Sequence, residues 1–316
     1  MNSLNVTDGS YTKPDFTPEK ASSGVVGSKS NNHIVRKTDN TVCPETPITL
    51  RSAKTTVNFP SLPANLCQND INTDGNNFQS KHICGPTAIA NTLAPLLGMT
   101  SPEDQHALVI GLAEECGIDE EVEYGTGPIE LMAGVRSFME KMDQQVPEIR
   151  YYGWRAEYAC PKSSFNHIQS KQPPSQQLIF ENIRRSDGAW LNIGFYVYDE
   201  KAGEYTRKSG HWVTLAGCNG NDEMTIHDPA VRAHTPACQQ KTHGVVSLDE
   251  GQLIDRARTR SAKDVLYLDS SFKLPNDERG INAAIIDGVI FFQRRNELTG
   301  SDSTSLPQSS VAMDES

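Results

Sequence analysis

The sequence lacks any long hydrophobic run. Its best candidates, residues 189–197 and 285–292, have the length of a strand and fall short of the roughly 18–20 apolar residues that a membrane-spanning helix needs. Basic residues are also scarce, since 29 Lys and Arg stand against 40 Asp and Glu and give a net charge of −11. DNA and RNA reward a basic surface, so this acidic balance argues against a nucleic-acid partner.

The N-terminus lacks the basic start and apolar segment of a secretory signal. We therefore expect a cytoplasmic protein, or one that is exported by a route without such a signal. The cysteines lack the close spacing of a zinc or redox motif, and their number is odd. Cys43 and Cys67 bracket a proline-rich stretch and could form a disulfide in an oxidising compartment. The seven cysteines are Cys43, Cys67, Cys84, Cys116, Cys160, Cys218 and Cys238.

Both ends of the chain have too few apolar residues to form a core. Only eleven of the first 42 residues are hydrophobic, and the C-terminal end is equally rich in Ser, Thr and Asp. We predict disordered tails over residues 1–57 and 297–316, with one folded domain over residues 58–296.

Within that domain, helical patterns come first and extended patterns follow. The segment from Cys84 to Gly98 has helical apolar spacing, Ser101-Pro102 is typical of a helix start, and residues 128–142 form a third periodic stretch. Helices followed by antiparallel strands predict an α+β fold. A short helix is expected at residues 175–185, and strands at residues 149–154, 189–198, 211–218, 224–227, 264–268 and 289–293.

Cys84 opens the first predicted helix, in the run Cys-Gly-Pro-Thr. Unpaired N–H groups and the positive end of the helix dipole favour a thiolate at that position. A thiolate is the form of cysteine that acts as a nucleophile. The simpler interpretation is an ordinary buried cysteine, which is the commonest fate of a free thiol.

A histidine and an aspartate are predicted to meet beside that helix. His211 stands at the head of a predicted strand, where it could take the thiol proton and later return it to a leaving group. A hairpin with its turn at residues 219–222 brings Asp228 back beside the start of this strand. A carboxylate there could accept the Nδ1–H bond of the imidazole and stabilise the imidazolium.

These three motifs, Cys-Gly-Pro-Thr, Gly-His-Trp-Val and Asp-Pro-Ala, resemble the papain-like cysteine peptidases, and most closely the C39 and C39-like group. The resemblance covers roughly residues 79–230. It implies a papain-like fold with N-terminal helices packed on an antiparallel sheet. It also implies that Cys84 is the nucleophile, that His211 is the general base and acid, and that Asp228 orients the imidazole.

By the same resemblance, Gln79 would donate to the oxyanion together with the Cys84 backbone N–H. Gln79 lies closer to Cys84 than is usual in that family, so Asn76, Asn77 and the His82 region stay open as alternatives. The bacteriocin-processing members are fused to membrane spans and an ATPase. The chain shows no such span and no phosphate-binding GxxxxGK[ST] loop.

The expected function is a cysteine peptidase that hydrolyses a peptide or protein substrate through a Cys84 thioacyl intermediate, with no cofactor. A transamidase, deamidase or acyltransferase would carry the same three residues, as a secreted effector for example, and so could a catalytically dead binding module. A metal site is a further alternative, although its spacing matches no standard zinc motif. Its ligands would come from His227, Asp228, His234, Cys238 and His243.

Overall fold

The structure is a computed structural model that describes residues 56–59, 63–74, 79–118, 125–155, 168–219, 222–230, 240–276 and 279–295. The predicted tails lie outside these ranges, apart from Thr56 and Val57, which belong to the first strand. Cys43 also lies outside them, and with it the disulfide that it could form with Cys67 in an oxidising compartment.

Four α-helices occur in the described residues, and none of them is long and apolar enough to cross a membrane. Two short 3-10 helices precede them. The α-helices are α1 (Cys84–Leu96), α2 (Pro102–Glu115), α3 (Pro128–Lys141) and α4 (Gln176–Ile183), and the 3-10 helices are Gln68–Asp70 and Ser80–His82. The strands are β1 (Thr56–Asn58), β2 (Glu148–Gly153), β3 (Ile168–Ser170), β4 (Gly188–Asp199), β5 (Glu204–Asn219), β6 (Glu223–His227), β7 (Lys241–Ser247), β8 (Gln252–Asp255), β9 (Arg258–Ser261), β10 (Leu266–Leu268) and β11 (Ala283–Gln293).

Six of these strands close into an antiparallel barrel. β4 pairs with β5 and β11, and the ring continues from β5 through β6, β7 and β10 back to β11. β1, β2, β3, β8 and β9 extend the same sheet outside the ring. The predicted α+β papain-like fold, with helices packed on an antiparallel sheet, is therefore wrong: the described chain is mostly sheet, with eleven strands and four α-helices.

Long, bulged strands are the physical reason for this difference. β5 has 16 residues and pairs with several neighbours along its length, and register shifts at 195/196, 215/217 and 286/288 bend the strands. The sequence pattern located β5 only from His211 and β11 only from Val289. It predicts none of β1, β3, β7, β8 and β9, because these strands are short or carry many polar residues.

The predicted helix boundaries are confirmed, in contrast. The Ser101 hydroxyl accepts a hydrogen bond from the Asp104 N–H at 3.0 Å and caps the start of α2. Gly98 and Gly117 have φ values of 69° and 68°, so each follows its helix in the left-handed conformation that favours glycine.

α1 lies against the outer wall of the barrel and is held there by hydrogen bonds. The Thr214 hydroxyl of β5 donates to the Ala88 carbonyl at 2.7 Å, and the Trp190 indole N–H of β4 donates to the Thr92 hydroxyl at 3.0 Å. All four residues are buried. These contacts fix the start of α1, where Cys84 lies, relative to β5.

A buried ion pair joins β5 to the bulge of β11. Arg207 Nε lies 2.8 Å from the carboxylate of Asp287, which is fully buried. The same carboxylate accepts hydrogen bonds from the Tyr196 hydroxyl at 2.6 Å and from the Trp154 indole N–H at 2.9 Å. A side chain at Gly210 would place its Cβ 2.2 Å from the Arg207 guanidinium. The pair therefore holds β4, β5 and β11 in register just before His211.

Replacing Asp287 with Asn should destabilise the protein by about 3–5 kcal/mol, because it leaves the Arg207 charge buried without its partner. Urea unfolding followed by circular dichroism measures this loss. Glu140→Gln is the matched control, since Glu140 pairs with Arg136 on the exposed side of α3 and should lose less than about 1 kcal/mol. Equal losses in the two variants would contradict the structural role of Asp287.

Candidate active site

Cys84 is the first residue of α1 and is 8% exposed. The N–H groups of a first helical turn have no acceptor within the helix, so they present partial positive charge at this end. Ile83 precedes the helix, and Pro86 in its first turn has no N–H to satisfy. The sequence around Cys84 thus builds a helix start that favours a negative charge on sulfur.

His211 lies in the middle of β5 rather than at its head, because the strand begins at Glu204. Its Nε2 is 2.6 Å from Asp228 Oδ1, and both side chains are buried. The imidazole also stacks on Phe195, with ring centroids 6.2 Å apart and planes 18° from parallel. We expected Asp228 to bind Nδ1; the structure uses Nε2, which leaves Nδ1 for the thiol.

His211 changes the acidity of the Cys84 thiol. Burial by itself raises the pKa of Cys84, because it disfavours the charged form. The hydrogen bond and charge of His211 act in the opposite direction, together with the backbone N–H groups of Trp212 and Gly85. Their sum lowers the pKa of Cys84 below its ordinary value, so the site stabilises a thiolate.

Asp228 follows directly after β6 and is fixed by its own backbone turn. Its Oδ1 accepts from the Ala230 N–H at 2.9 Å as well as facing His211. This is the geometry in which an Asp side chain bonds to the backbone two residues ahead. The neighbouring His227 points elsewhere, with Nε2 3.3 Å from the Leu66 carbonyl, as strand alternation predicts.

The structure does not bring Gln79 into contact with the other three residues. Gln79 is exposed at the start of the Ser80–His82 turn, and its backbone carbonyl accepts from the His82 N–H at 2.9 Å. Among the described residues, no hydrogen bond of its side chain is observed. Asn76 and Asn77 lie outside the described ranges.

Gln68 is a site residue that sequence reasoning missed. Its backbone N–H donates to the Pro229 carbonyl at 3.0 Å, and its side-chain amide donates to the Ser80 carbonyl at 3.2 Å. Gln68 therefore ties the segment after Asp228 to the turn that leads into Cys84. No motif marks this residue, because its partners lie far away along the chain.

Trp212 forms a wall beside the nucleophile. Its indole N–H donates to the Thr126 carbonyl at 2.8 Å, and its backbone N–H helps to lower the pKa of Cys84. A Cβ at Gly85 would lie 2.7 Å from Leu131 Cδ1 and 3.3 Å from Trp212 Cδ1. Only glycine fits between the helix start and this wall without moving it.

The alternative metal site finds no support within the described ranges, where no three His, Cys, Asp or Glu side chains are grouped so as to hold an ion. His234 and Cys238 lie outside those ranges. His243 instead pairs through Nδ1 with the Ser271 hydroxyl at 2.9 Å.

Gly85→Ala should destabilise the protein by about 1–3 kcal/mol, because the added methyl group overlaps Leu131 and displaces the wall around Trp212. Gly125→Ala is the control, since the nearest atom to its Cβ is 3.8 Å away and the change should be within about 0.5 kcal/mol. Urea unfolding of both variants measures the difference. If the free energy of unfolding of Gly85→Ala equalled that of the native protein, the wall around Trp212 would not be tightly packed.

Searches against protein-family models, curated proteins and solved structures gave no match.

Proposed function

We propose that this protein is a thiol-dependent hydrolase that cleaves an amide bond in a peptide or protein. One observation carries the proposal: the imidazole of His211, which lowers the pKa of the Cys84 thiol, is held through Nε2 by a buried carboxylate 2.6 Å away. A nucleophile, a base in contact with it and a group that orients the base are the parts that acyl transfer requires.

In the first step, the Cys84 thiolate attacks the carbonyl carbon of the substrate. A new C–S bond forms, and the electron pair of the carbonyl π-bond moves onto its oxygen. The Cys84 backbone N–H at the helix start is one donor to that oxyanion, and Gln79 is the candidate for a second. The dipole of α1 adds to this stabilisation.

His211 then transfers the proton that the departing amine needs. The tetrahedral intermediate collapses, the C–N bond breaks, and the imidazolium gives its Nδ1 proton to the departing amine. The product is a thioester on Cys84. His211 next takes a proton from a water molecule that attacks this thioester, and the C–S bond breaks to release a carboxylic acid and restore the thiolate.

Asp228 supports both half-reactions without transferring a proton itself. Its Oδ1 holds Nε2–H, which fixes the tautomer with Nδ1 toward sulfur and stabilises the imidazolium. Because the Ala230 N–H and Gln68 hold the segment around Asp228, the carboxylate needs little reorganisation during the reaction.

The resemblance to C39-like peptidases adds support at the level of the motifs. The three motifs that carry it, at Cys84, His211 and Asp228, are the ones that converge in space. The predicted fold does not contribute to the argument, since the barrel replaces it. Peptide hydrolysis is therefore proposed from the site chemistry.

Cys84 should react with iodoacetamide below the ordinary thiol pKa of ~8.5, because His211 stabilises its thiolate. In His211→Ala the midpoint of the rate against pH should move upward, since burial then acts without the opposing imidazole. Peptide mapping by mass spectrometry at each pH measures the rate at every cysteine.

Cys218 is the internal control, because burial raises its pKa to about 12 and it should stay unreactive in the folded protein. A Cys84 that alkylates as slowly as Cys218 at neutral pH would contradict the proposed thiolate.

A mixture of peptides from a digested proteome should gain new termini when it is incubated with the enzyme. Cys84→Ala should abolish this activity and His211→Ala should lower it by about 10²–10⁴-fold. Asp228→Asn should lose less, because an amide oxygen can still hold Nε2–H. Cys218→Ala is the matched control and should keep the activity, since Cys218 lies on the far part of β5.

The same mass spectra separate hydrolysis from its alternatives. New termini support a peptidase, a side-chain amide converted to a carboxylate indicates a deamidase, and an added amine indicates transfer. Cleavage that persists in Cys84→Ala would overturn the proposal.

A further inference from the structure

A short segment after β1, residues 64–68, connects α1 to the end of β6, and we call it the strap. Asn91 of α1 is fully buried, lies about two helical turns after Cys84 and holds the first half of the strap. The Asn91 carbonyl accepts from the Ala64 N–H at 2.7 Å. The Asn91 side-chain amide accepts from the Leu66 N–H at 2.8 Å and donates to the Leu66 carbonyl at 3.2 Å. The strap is therefore fixed to the helix that carries Cys84.

The other side of the strap holds both chain neighbours of Asp228. On one side of this residue, His227 Nε2 lies 3.3 Å from the Leu66 carbonyl. On the other side, the Pro229 carbonyl accepts from the Gln68 N–H at 3.0 Å. These two contacts bracket the residue that carries the orienting carboxylate. A displacement of the strap would thus change the position of Asp228 relative to α1.

The side chain of Gln68 extends this link to the turn before the nucleophile. Gln68 is 8% exposed, and its Nε2 donates to the Ser80 carbonyl at 3.2 Å. Ser80 begins the 3-10 turn that leads directly into Ile83 and α1. One buried residue therefore contacts the segment of Asp228 through its backbone and the turn that precedes Cys84 through its side chain.

Packing alone does not favour an amide at this position. The Oε1 atom of Gln68 is buried, and within the described part of the chain it accepts no hydrogen bond. An acceptor left unpaired away from water costs free energy, whereas an apolar side chain of the same shape in its place is nearly neutral or stabilising. Residues that lower the stability of a fold in this way are typical of functional sites.

We propose that Gln68 is a positioning residue of the proposed active site. Its amide holds the turn before Cys84 in a fixed position relative to Asp228, so that the sulfur and the imidazole of His211 stay aligned. The inference rests on the proposed hydrolase function and adds a residue that touches neither the substrate nor the reacting atoms. A misplacement of reacting groups by about 1 Å can lower a rate by about 100-fold, so one hydrogen bond at this point can control the rate.

The test variant is Gln68→Met, which keeps the length of the side chain and removes both the hydrogen bond to Ser80 and the unpaired acceptor. We expect kcat to fall by about 10-fold or more with KM nearly unchanged, because Gln68 does not bind the substrate. The pH midpoint of Cys84 alkylation by iodoacetamide should move upward, since a displaced His211 opposes the effect of burial less. The urea midpoint of unfolding should stay the same or rise.

Gln105→Met is the matched control. The side chain of Gln105 also donates to a backbone carbonyl, that of Met99 at 3.0 Å, but it does so at the start of α2 and outside the strap. This variant should keep kcat, KM and the pH midpoint of Cys84 alkylation.

An unchanged alkylation midpoint in Gln68→Met would overturn the inference, whatever its kcat. A shift of the same size in Gln105→Met would also overturn it. So would a Gln68→Met that unfolds at lower urea or fails to fold, because the amide would then serve stability alone.

The hydrolase proposal and this inference can fail separately. If the native protein cleaves no peptide, but its Cys84 midpoint lies below that of an ordinary thiol and rises in Gln68→Met, the role of Gln68 stands and peptide hydrolysis fails. If Cys84 of the native protein alkylates as slowly as Cys218, both fail.

Discussion

The proposed activity depends on one contact between α1 and the barrel. At the start of α1 the Cys84 sulfur meets the His211 side chain and the Trp212 N–H, both presented by β5. Neither element could hold this contact alone. The hydrogen bonds from Thr214 and Trp190 to α1 fix the helix against the wall, and the Arg207–Asp287 pair fixes the strand register next to His211.

Burial disfavours each charge of the site taken alone and strengthens the interactions between the charges. His211 and Asp228 are each 5% exposed, so each would be strongly disfavoured as an isolated charge. Together with the Cys84 thiolate they compensate one another in a region of low dielectric, where a short hydrogen bond is also stronger than in water. The same region excludes solvent from the imidazole.

The sequence predicts the local features better than the closure of the sheet. Ser101, Gly98 and Gly117 mark helix ends because capping and left-handed turns depend on single residues. Barrel closure depends on bulges such as the one at Asp287 and on polar strands such as β7, which give no clear alternating pattern.

At the site, Cys84, His211 and Asp228 stand in motifs whose chemistry is visible in the sequence, and the structure brings them together. Two features are not visible in the sequence: the hydrogen bond of Asp228 to Nε2 and the link through Gln68. Each depends on distances between segments that are far apart in the chain.

The most direct test of the central claim is a pH titration of thiolate absorbance in the ultraviolet, taken as the difference between the native protein and Cys84→Ala. We expect a midpoint below the ordinary thiol value of ~8.5, because His211 outweighs the effect of burial on the pKa of Cys84. A midpoint at or above that value would show that burial dominates and that Cys84 is an inert thiol.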